Sequence, residues 1–210
     1  MSRSYGQFCG LARALDHVGD RWTLLVIREL LLSDAGYGAL LTALDGIPTN
    51  LLADRLRQLE ADGVVTRCAD GDDRRRVIYR LTPLGQGLEP VLLELIRWGA
   101  QWMGAGPGDD RFDPRWAVLA LRALLTGRQP QIRGTTELRL EGGPLRLVST
   151  GDAPLQIERG VSADEPDATV DGNAAHLLGL VAGQLTIGAA KRRGVRITGD
   201  QRLACAVLLP

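Results

Sequence analysis

Lysine is almost missing from this 210-residue chain: of 25 basic residues only Lys191 is not an arginine. Such a skew looks like genomic base composition, and no mechanism follows from it. Net charge is missing too. The 25 basic side chains meet 25 acidic ones, so no bulk field draws the chain toward nucleic acid. Residues 1–104 repeat this balance, with 12 arginines against 13 Asp and Glu, a net of −1. Specific DNA binding would therefore depend on where single arginines sit. Histidine is scarce. His17 and His176 are the only two, and neither lies near a cysteine pair, so zinc-ligand spacing is absent. The same scarcity removes a histidine-based catalytic triad. Cys9, Cys68 and Cys205 are odd in number and far apart, which argues against a secreted disulfide framework and for a reducing cytosol. The apolar runs are far short of a membrane span, and Met1 to Gly10 lacks a signal-peptide pattern. Gly183 and Gly188 have phosphate-loop spacing, but Ala189-Ala190 stands where Lys and Ser/Thr would hold phosphate and metal. The expectation is a cytoplasmic protein, not an enzyme, without cofactor, metal or membrane contact.

What is present is a chain long enough for two small domains, with 45% hydrophobic residues to build their cores. The most informative stretch runs from Thr49 to Arg67. Leu52, Leu56 and Leu59 fall at helical spacing and make one apolar stripe. Asn50, Ala53, Asp54 and Arg57 point roughly the other way. Gly63 suits a left-handed helix end. A strand follows, then the turn 70–76 with Arg74, Arg75 and Arg76, then a return strand Val77-Ile78-Tyr79-Arg80-Leu81. A helix leading into a basic hairpin is the winged helix-turn-helix plan, in which the helix enters a DNA major groove.

Upstream, a helix is expected over Cys9–Val18, with Leu11, Ala14, Leu15 and Val18 on one face. Asp20 is placed to cap a second helix, Arg21–Leu32, whose Trp22, Leu25, Val26 and Leu30 suit a core. A third helix covers about Tyr37 to Leu44, and Pro48 opens the recognition helix. Downstream, Thr82-Pro83 starts a helix from Leu84 to about Met103, with a kink or break expected at Pro90. The Gly- and Asp-rich stretch 104–110 reads as a linker. Beyond it, Trp116–Leu125 reads as a helix. Thr136–Leu140, Leu145–Ser149, Leu155–Arg159 and Ala168–Asp171 read as strands. Ala174–Ala182 and Ile187–Arg193 read as helices, and Val195–Gly199 and Leu203–Leu208 as closing elements. The expected fold class is α+β. A winged-helix DNA-binding and dimerisation domain occupies 1–104, a linker 105–114, and an α/β domain 115–210.

Several blocks resemble the HxlR family of winged-helix transcription regulators. They are Cys9, Gly19-Asp20-Arg21-Trp22-Thr23-Leu24-Leu25-Val26-Ile27-Arg28-Glu29-Leu30, the run Leu52 to Arg67, Arg76-Val77-Ile78-Tyr79-Arg80-Leu81-Thr82-Pro83-Leu84-Gly85, and Trp98-Gly99. The resemblance covers about half the chain. It implies a homodimer on a near-palindromic double-stranded DNA operator, with the first and last helices of the domain at the dimer seam. One departure is Leu40-Leu41, where the family more often has Arg-Phe. The second half resembles the sterol-carrier-protein-like fold, through Asp167-Ala168-Thr169-Val170, Leu177 to Gly183, Ala189-Ala190 and Gly194 to Asp200. That resemblance implies a sheet and helices around a tunnel for apolar ligands.

Candidate site residues follow from both readings. Thr49, Asn50 and Arg57 suit groove contact, since Asn pairs bidentately with adenine and Arg with guanine or phosphate. The competing reading is a solvated helix face. Arg55, nearer the flank, suits phosphate. Asp54 repels phosphate unless a nearby Arg pairs with it. Arg74, Arg75 and Arg76 suit backbone or minor-groove contact, unless Asp70, Asp72 and Asp73 simply neutralise them. Trp116, Leu119, Leu177, Leu178, Val181 and Leu185 suit an apolar small-molecule effector, although most amphipathic helices merely pack a core. Cys9 sits where the HxlR family often places a redox-sensing thiol, and Arg13 is spaced to stabilise a thiolate. A lone cysteine on an apolar helix face is more often a small core residue, and that reading is favoured here. The leading expectation is a dimeric repressor controlled by an apolar molecule in the second domain. The alternatives are a redox or electrophile regulator switched at Cys9, and a lipid carrier or acyl-transfer enzyme whose helix-turn-helix is an interaction module.

Overall fold

The computed structural model describes residues 4–69, 77–103, 110–141, 143–161 and 164–210. The chain is mixed α+β and divides into two compact units, Met1–Leu92 and Leu93–Pro210. The division falls inside a helix, ahead of the 105–114 segment. Residues 104–109 of the expected linker lie outside the described residues.

The first unit holds α1 (Gly10–Val18), α2 (Thr23–Leu32), α3 (Tyr37–Ala43), α4 (Thr49–Ala61), β1 (Val65–Ala69), β2 (Val77–Leu81) and α5 (Pro83–Gln86); α6 (Glu89–Gly99) crosses into the second. The leucine stripe of α4 is buried as its spacing demands: Leu52, Leu56 and Leu59 pack with Val26, Ile27, Leu30, Leu40 and Leu44. α4 starts after Pro48, which is extended. It stops in a left-handed glycine, Gly63 at φ +71°. There the Val64 N–H reaches Leu59 O at 2.9 Å and the Gly63 N–H reaches Glu60 O at 3.1 Å, the paired bonds of a Schellman end. β1 and β2 pair antiparallel from Val65↔Leu81 to Ala69↔Val77. Ala35 exchanges both backbone bonds with Tyr79 and so adds a third rung beside the hairpin.

Three upstream and downstream expectations change. Asp20 does not cap α2 with its carboxylate; its carbonyl takes the Thr23 N–H, and Trp22 precedes the helix at φ +78°. The carboxylate is drawn to Arg55 instead. Leu25 is not core but 40% exposed. The long helix after Pro83 breaks at Gly87 and Leu88, so Pro90 stands in the first turn of α6, where its missing N–H costs nothing. α1 itself buries only Ala12, with Leu11 and Leu15 of its apolar face exposed.

The second unit continues through a 3-10 turn, Ala100–Trp102, to α7 (Trp116–Leu125), β3 (Arg133–Arg139), β4 (Leu145–Thr150), β5 (Gln156–Arg159), β6 (Ala168–Asp171), α8 (Ala174–Val181), α9 (Ile187–Arg192), β7 (Arg196–Gly199) and α10 (Gln201–Leu208). The sheet order is β5-β4-β3-β6-β7. Only β3 and β6 run parallel; the other pairs are antiparallel. Leu138, Leu145, Leu147, Ala168 and Val170 are buried with α7, α8 and α10 residues such as Leu121, Leu180 and Val207. Alternate strand positions form a polar row across all five strands: Glu158, Arg146, Glu137, Thr169 and Thr198. β3 begins at Arg133, earlier than expected, because Arg133 and Gly134 pair with Thr150 and Ser149 of β4. Asn173, Thr186 and Asp200 cap α8, α9 and α10 through their side chains.

Candidate nucleic-acid interface

The face of α4 opposite its buried leucines is open. Thr49, Asn50 and Arg57 are exposed on it together. Its N-terminal end is held from α3, where the Tyr37 hydroxyl donates to Thr49 O at 2.7 Å. Tyr37 is a positioning residue that the sequence does not mark, since a tyrosine in a short helix gives no signal of its partner. Asp54 finds the expected arginine: Arg57 pairs with it one turn along. Both side chains are well exposed, at 75% and 56%, so the pair is weak and Arg57 remains available to an anion. Arg55 is different. Its side chain is only 22% exposed and is engaged with Asp20. It stands at the flank of the open face, tied to the segment ahead of α2.

On the hairpin, Arg67 is exposed and lies over the Tyr79 ring at 5.9 Å. Arg80 donates to Asp34 at 2.7 Å, and that carboxylate holds the guanidinium further toward its charged form. Arg67 was not among the expected contacts; it is a basic residue on a largely exposed strand. Arg74, Arg75 and Arg76 lie outside the described residues.

Cys9 is exposed at the N-cap position of α1, not packed in a core. The backbone N–H groups of Ala12 and Leu11 lower its thiol below the ordinary range. A thiolate there meets the unpaired amides of a helix start. Arg13 is turned elsewhere, lying 3.6 Å from Asp16 and within 3.5 Å of the Ser4 hydroxyl. Cys68 and Cys205 are half-buried. Among the described residues no group of His, Cys, Asp and Glu could hold a metal ion, and no helix is long and apolar enough to cross a membrane.

The candidate ligand residues all fall in the second unit. Leu119, Leu177 and Val181 are buried in its core. Trp116, Leu178 and Leu185 are half-buried. Leu185 packs on Gly179, where an added Cβ would come within 3.1 Å of it. The turn after α8 thus folds back on α8 and shares its apolar wall.

Residues 17–107 match the model of the HxlR-like helix-turn-helix family. An uncharacterized HTH-type transcriptional regulator of Synechocystis is 37% identical over 98 residues, spanning 47% of this chain and 73% of that protein. One from Mycobacterium tuberculosis is 39% identical over 93 residues, spanning 44% of this chain and 58% of its own length. The regulator YvaP of Bacillus subtilis is 32% identical over 91 residues, covering 43% of this chain and 84% of YvaP. Among solved structures, the reduced form of the B. subtilis regulator YodB matches 48% of this chain and 99% of its own, at 28% identity and a TM-score of 0.41. Through its helix-turn-helix and paired hairpin, the chain belongs to the HxlR-like helix-turn-helix family of transcriptional regulators.

Proposed function

We propose that this protein is a homodimeric, sequence-specific DNA-binding repressor whose near-palindromic operator is read by Thr49, Asn50 and Arg57 and gripped by the wing arginines Arg74, Arg75 and Arg76. The observation that carries this reading is the open face of α4, which keeps Asn50 and Arg57 exposed while the opposite leucines are buried. Asn50 then takes adenine and Arg57 guanine or phosphate, while the wing grips the backbone. Arg55, held by Asp20, braces the flank of α4 and meets phosphate only if that pair opens. The second unit is the effector domain. An apolar molecule enters beside the half-buried Trp116, Leu178 and Leu185, with Leu119, Leu177 and Val181 behind them. Its binding changes operator affinity through a coupling free energy of about 1–3 kcal/mol.

Selection from random duplexes, followed by titration of the selected site, tests this. Asn50→Ala should relax sequence preference by about 1–3 kcal/mol at one position. Arg75→Ala should weaken all duplexes alike and lower the salt slope by about one unit. A long-chain fatty acid, as an apolar probe, should shift the operator titration. Normal binding by both variants would remove α4 and the wing from the interface.

A second reading is favoured by one observation, the exposed Cys9 thiol and its lowered pKa. In that reading oxidation or alkylation of Cys9 sets operator affinity, and the second unit only supports dimerisation. An operator affinity of the wild-type chain that oxidant leaves unchanged, or a Cys9→Ser variant that responds to oxidant as the wild type does, excludes it. Specific operator binding separates both readings from a lipid carrier or acyl-transfer enzyme.

A further inference from the structure

Within the first unit, α1, the C-terminal end of α4 and α5 border a half-open cavity of about 300 Å³. That volume is at the lower end of the range for small-molecule sites, about 300–1,000 Å³. Its walls are mostly apolar: Ala14 and Val18 from α1, Leu84 from α5, and Leu88 beyond it. Two titratable side chains line it, His17 and Asp62. Asp62 is the C-cap residue of α4, and its side chain is only 13% exposed. One carboxylate oxygen, Oδ1, accepts from Gln58 Nε2 at 3.0 Å. The other, Oδ2, is buried without a hydrogen-bond partner. His17 Nδ1 faces it at 2.9 Å as an ion-pair contact, but the His17 side chain is 53% exposed and leans in from solvent.

A carboxylate oxygen beside apolar walls is costly unless a donor or a cation meets it with good geometry, and the half-exposed His17 ion pair leaves Oδ2 without a hydrogen bond. Three occupants of the space compete. A bare His17–Asp62 tie between α1 and α4 leaves the cavity unfilled. A second copy of the chain would cover the apolar walls rather than enter a space of this volume. A small molecule with an apolar body and a cationic head answers both features. We infer that this cavity binds a small apolar amine, its ammonium on Asp62 Oδ2 and its body between Val18, Leu84 and Leu88. The site lies wholly within Met1–Leu92, so it is distinct from the effector site proposed in the second unit. Because Asp62 ends the helix that carries Asn50 and Arg57, an amine there acts on α4 and α1 together.

The test is direct binding to the full chain, which does not depend on DNA recognition. Phenethylamine, 2-phenylethanol and 3-phenylpropionate share one apolar body and differ in head group. The expected result is saturable amide shifts at Ala14, Val64 and Leu88 with the amine. The alcohol should bind about tenfold more weakly, as should the amine to Asp62→Asn, because each lacks one partner of the charge-assisted bond. The carboxylate should not bind. Ala14→Phe, made at an exposed position that lines the cavity, should abolish binding without lowering the melting temperature. It decides the matter even if Asp62→Asn fails to fold. The inference is overturned by no saturation at about 10 mM, the range in which fragments of this size bind. It is equally overturned by equal affinity for all three compounds, or by full binding to Ala14→Phe.

Discussion

Arg128 gathers the ends of three helices. Its guanidinium donates to Leu124 O at 3.2 Å near the end of α7, to Val181 O at 2.7 Å at the end of α8, and to Leu208 O at 2.8 Å at the end of α10. Helix C-termini carry unpaired carbonyls and partial negative charge, so one cation satisfies all three. Burial pushes the guanidinium toward losing its proton, yet arginine stays charged. Arg128→Met should cost the second unit about 2–4 kcal/mol, because bonds to a charged donor are strong and the carbonyls left behind are orphaned. Urea unfolding would show it, and an unchanged midpoint would reduce Arg128 to a surface cation. The exposed pair Arg146–Glu158 is a different case, worth about 0–1 kcal/mol. This contrast marks what single residues reveal in a sequence. The Asp54–Arg57 pair was legible because a helix brings residues three apart onto one face. Arg128 with Val181 and Leu208, and Arg55 with Asp20, were not, since those partners are 53, 80 and 35 positions apart. Only tertiary packing brings them together.

At the scale of elements, α4, α7, β2 and β6 were readable almost to the residue, because each is bounded by local chemistry. Pro48 and Gly63 frame α4, and the hydrophobic period fills it. The break between α5 and α6 was signalled by Pro90 and falls within the turn ahead of it, at Gly87 and Leu88, because a proline ring and its missing N–H disrupt the helical turn before it. The corner ahead of the break is tight: a Cβ on Gly85 would lie 2.2 Å from Val64 O and 2.9 Å from Leu81 Cδ2. Thr82 fixes the same corner, its hydroxyl accepting from the Gly85 N–H at 3.2 Å and donating to Gly63 O at 2.6 Å. α5 therefore sits against the start of β1 through a glycine that no larger residue can replace without movement. Gly85→Ala should destabilise the chain by about 1–3 kcal/mol as overpacking against backbone. Gly38→Ala in α3, where nothing stands within 4 Å, should stabilise it by about 0.4–1 kcal/mol. Paired thermal melts would decide. Equal small effects at both positions would mean that the α5 corner yields.

For the whole molecule, the apolar surface is the unexplained quantity. In the first unit Tyr5, Phe8, Leu11, Leu15, Leu84 and Val91 are exposed, and Phe8 fully so. In the second, Leu95, Trp98, Trp102 and Met103 are exposed, with Trp98 and Trp102 edge-on at 4.5 Å. Val91, Leu95 and Trp98 recur at helical spacing on α6, and Leu11 and Leu15 do so on α1. Scattered exposed apolar residues are ordinary, but two helices each with an ordered apolar face uncovered by their own unit call for a partner. A second copy of the chain is the partner that the homodimer reading supplies, and it also fits a two-half-site operator. The full chain should sediment as a dimer at micromolar concentration. Leu11→Glu with Leu15→Glu should yield a folded monomer, as should Leu95→Glu with Trp98→Glu, since all four positions are exposed within the single chain. Both variants should lose operator affinity far more than affinity for one half-site, because the second half-site then binds as a separate molecule. A wild-type monomer at about 10 μM, or dimers that survive both double substitutions, would leave these faces without a role in assembly and would place one winged helix, not two, on each operator.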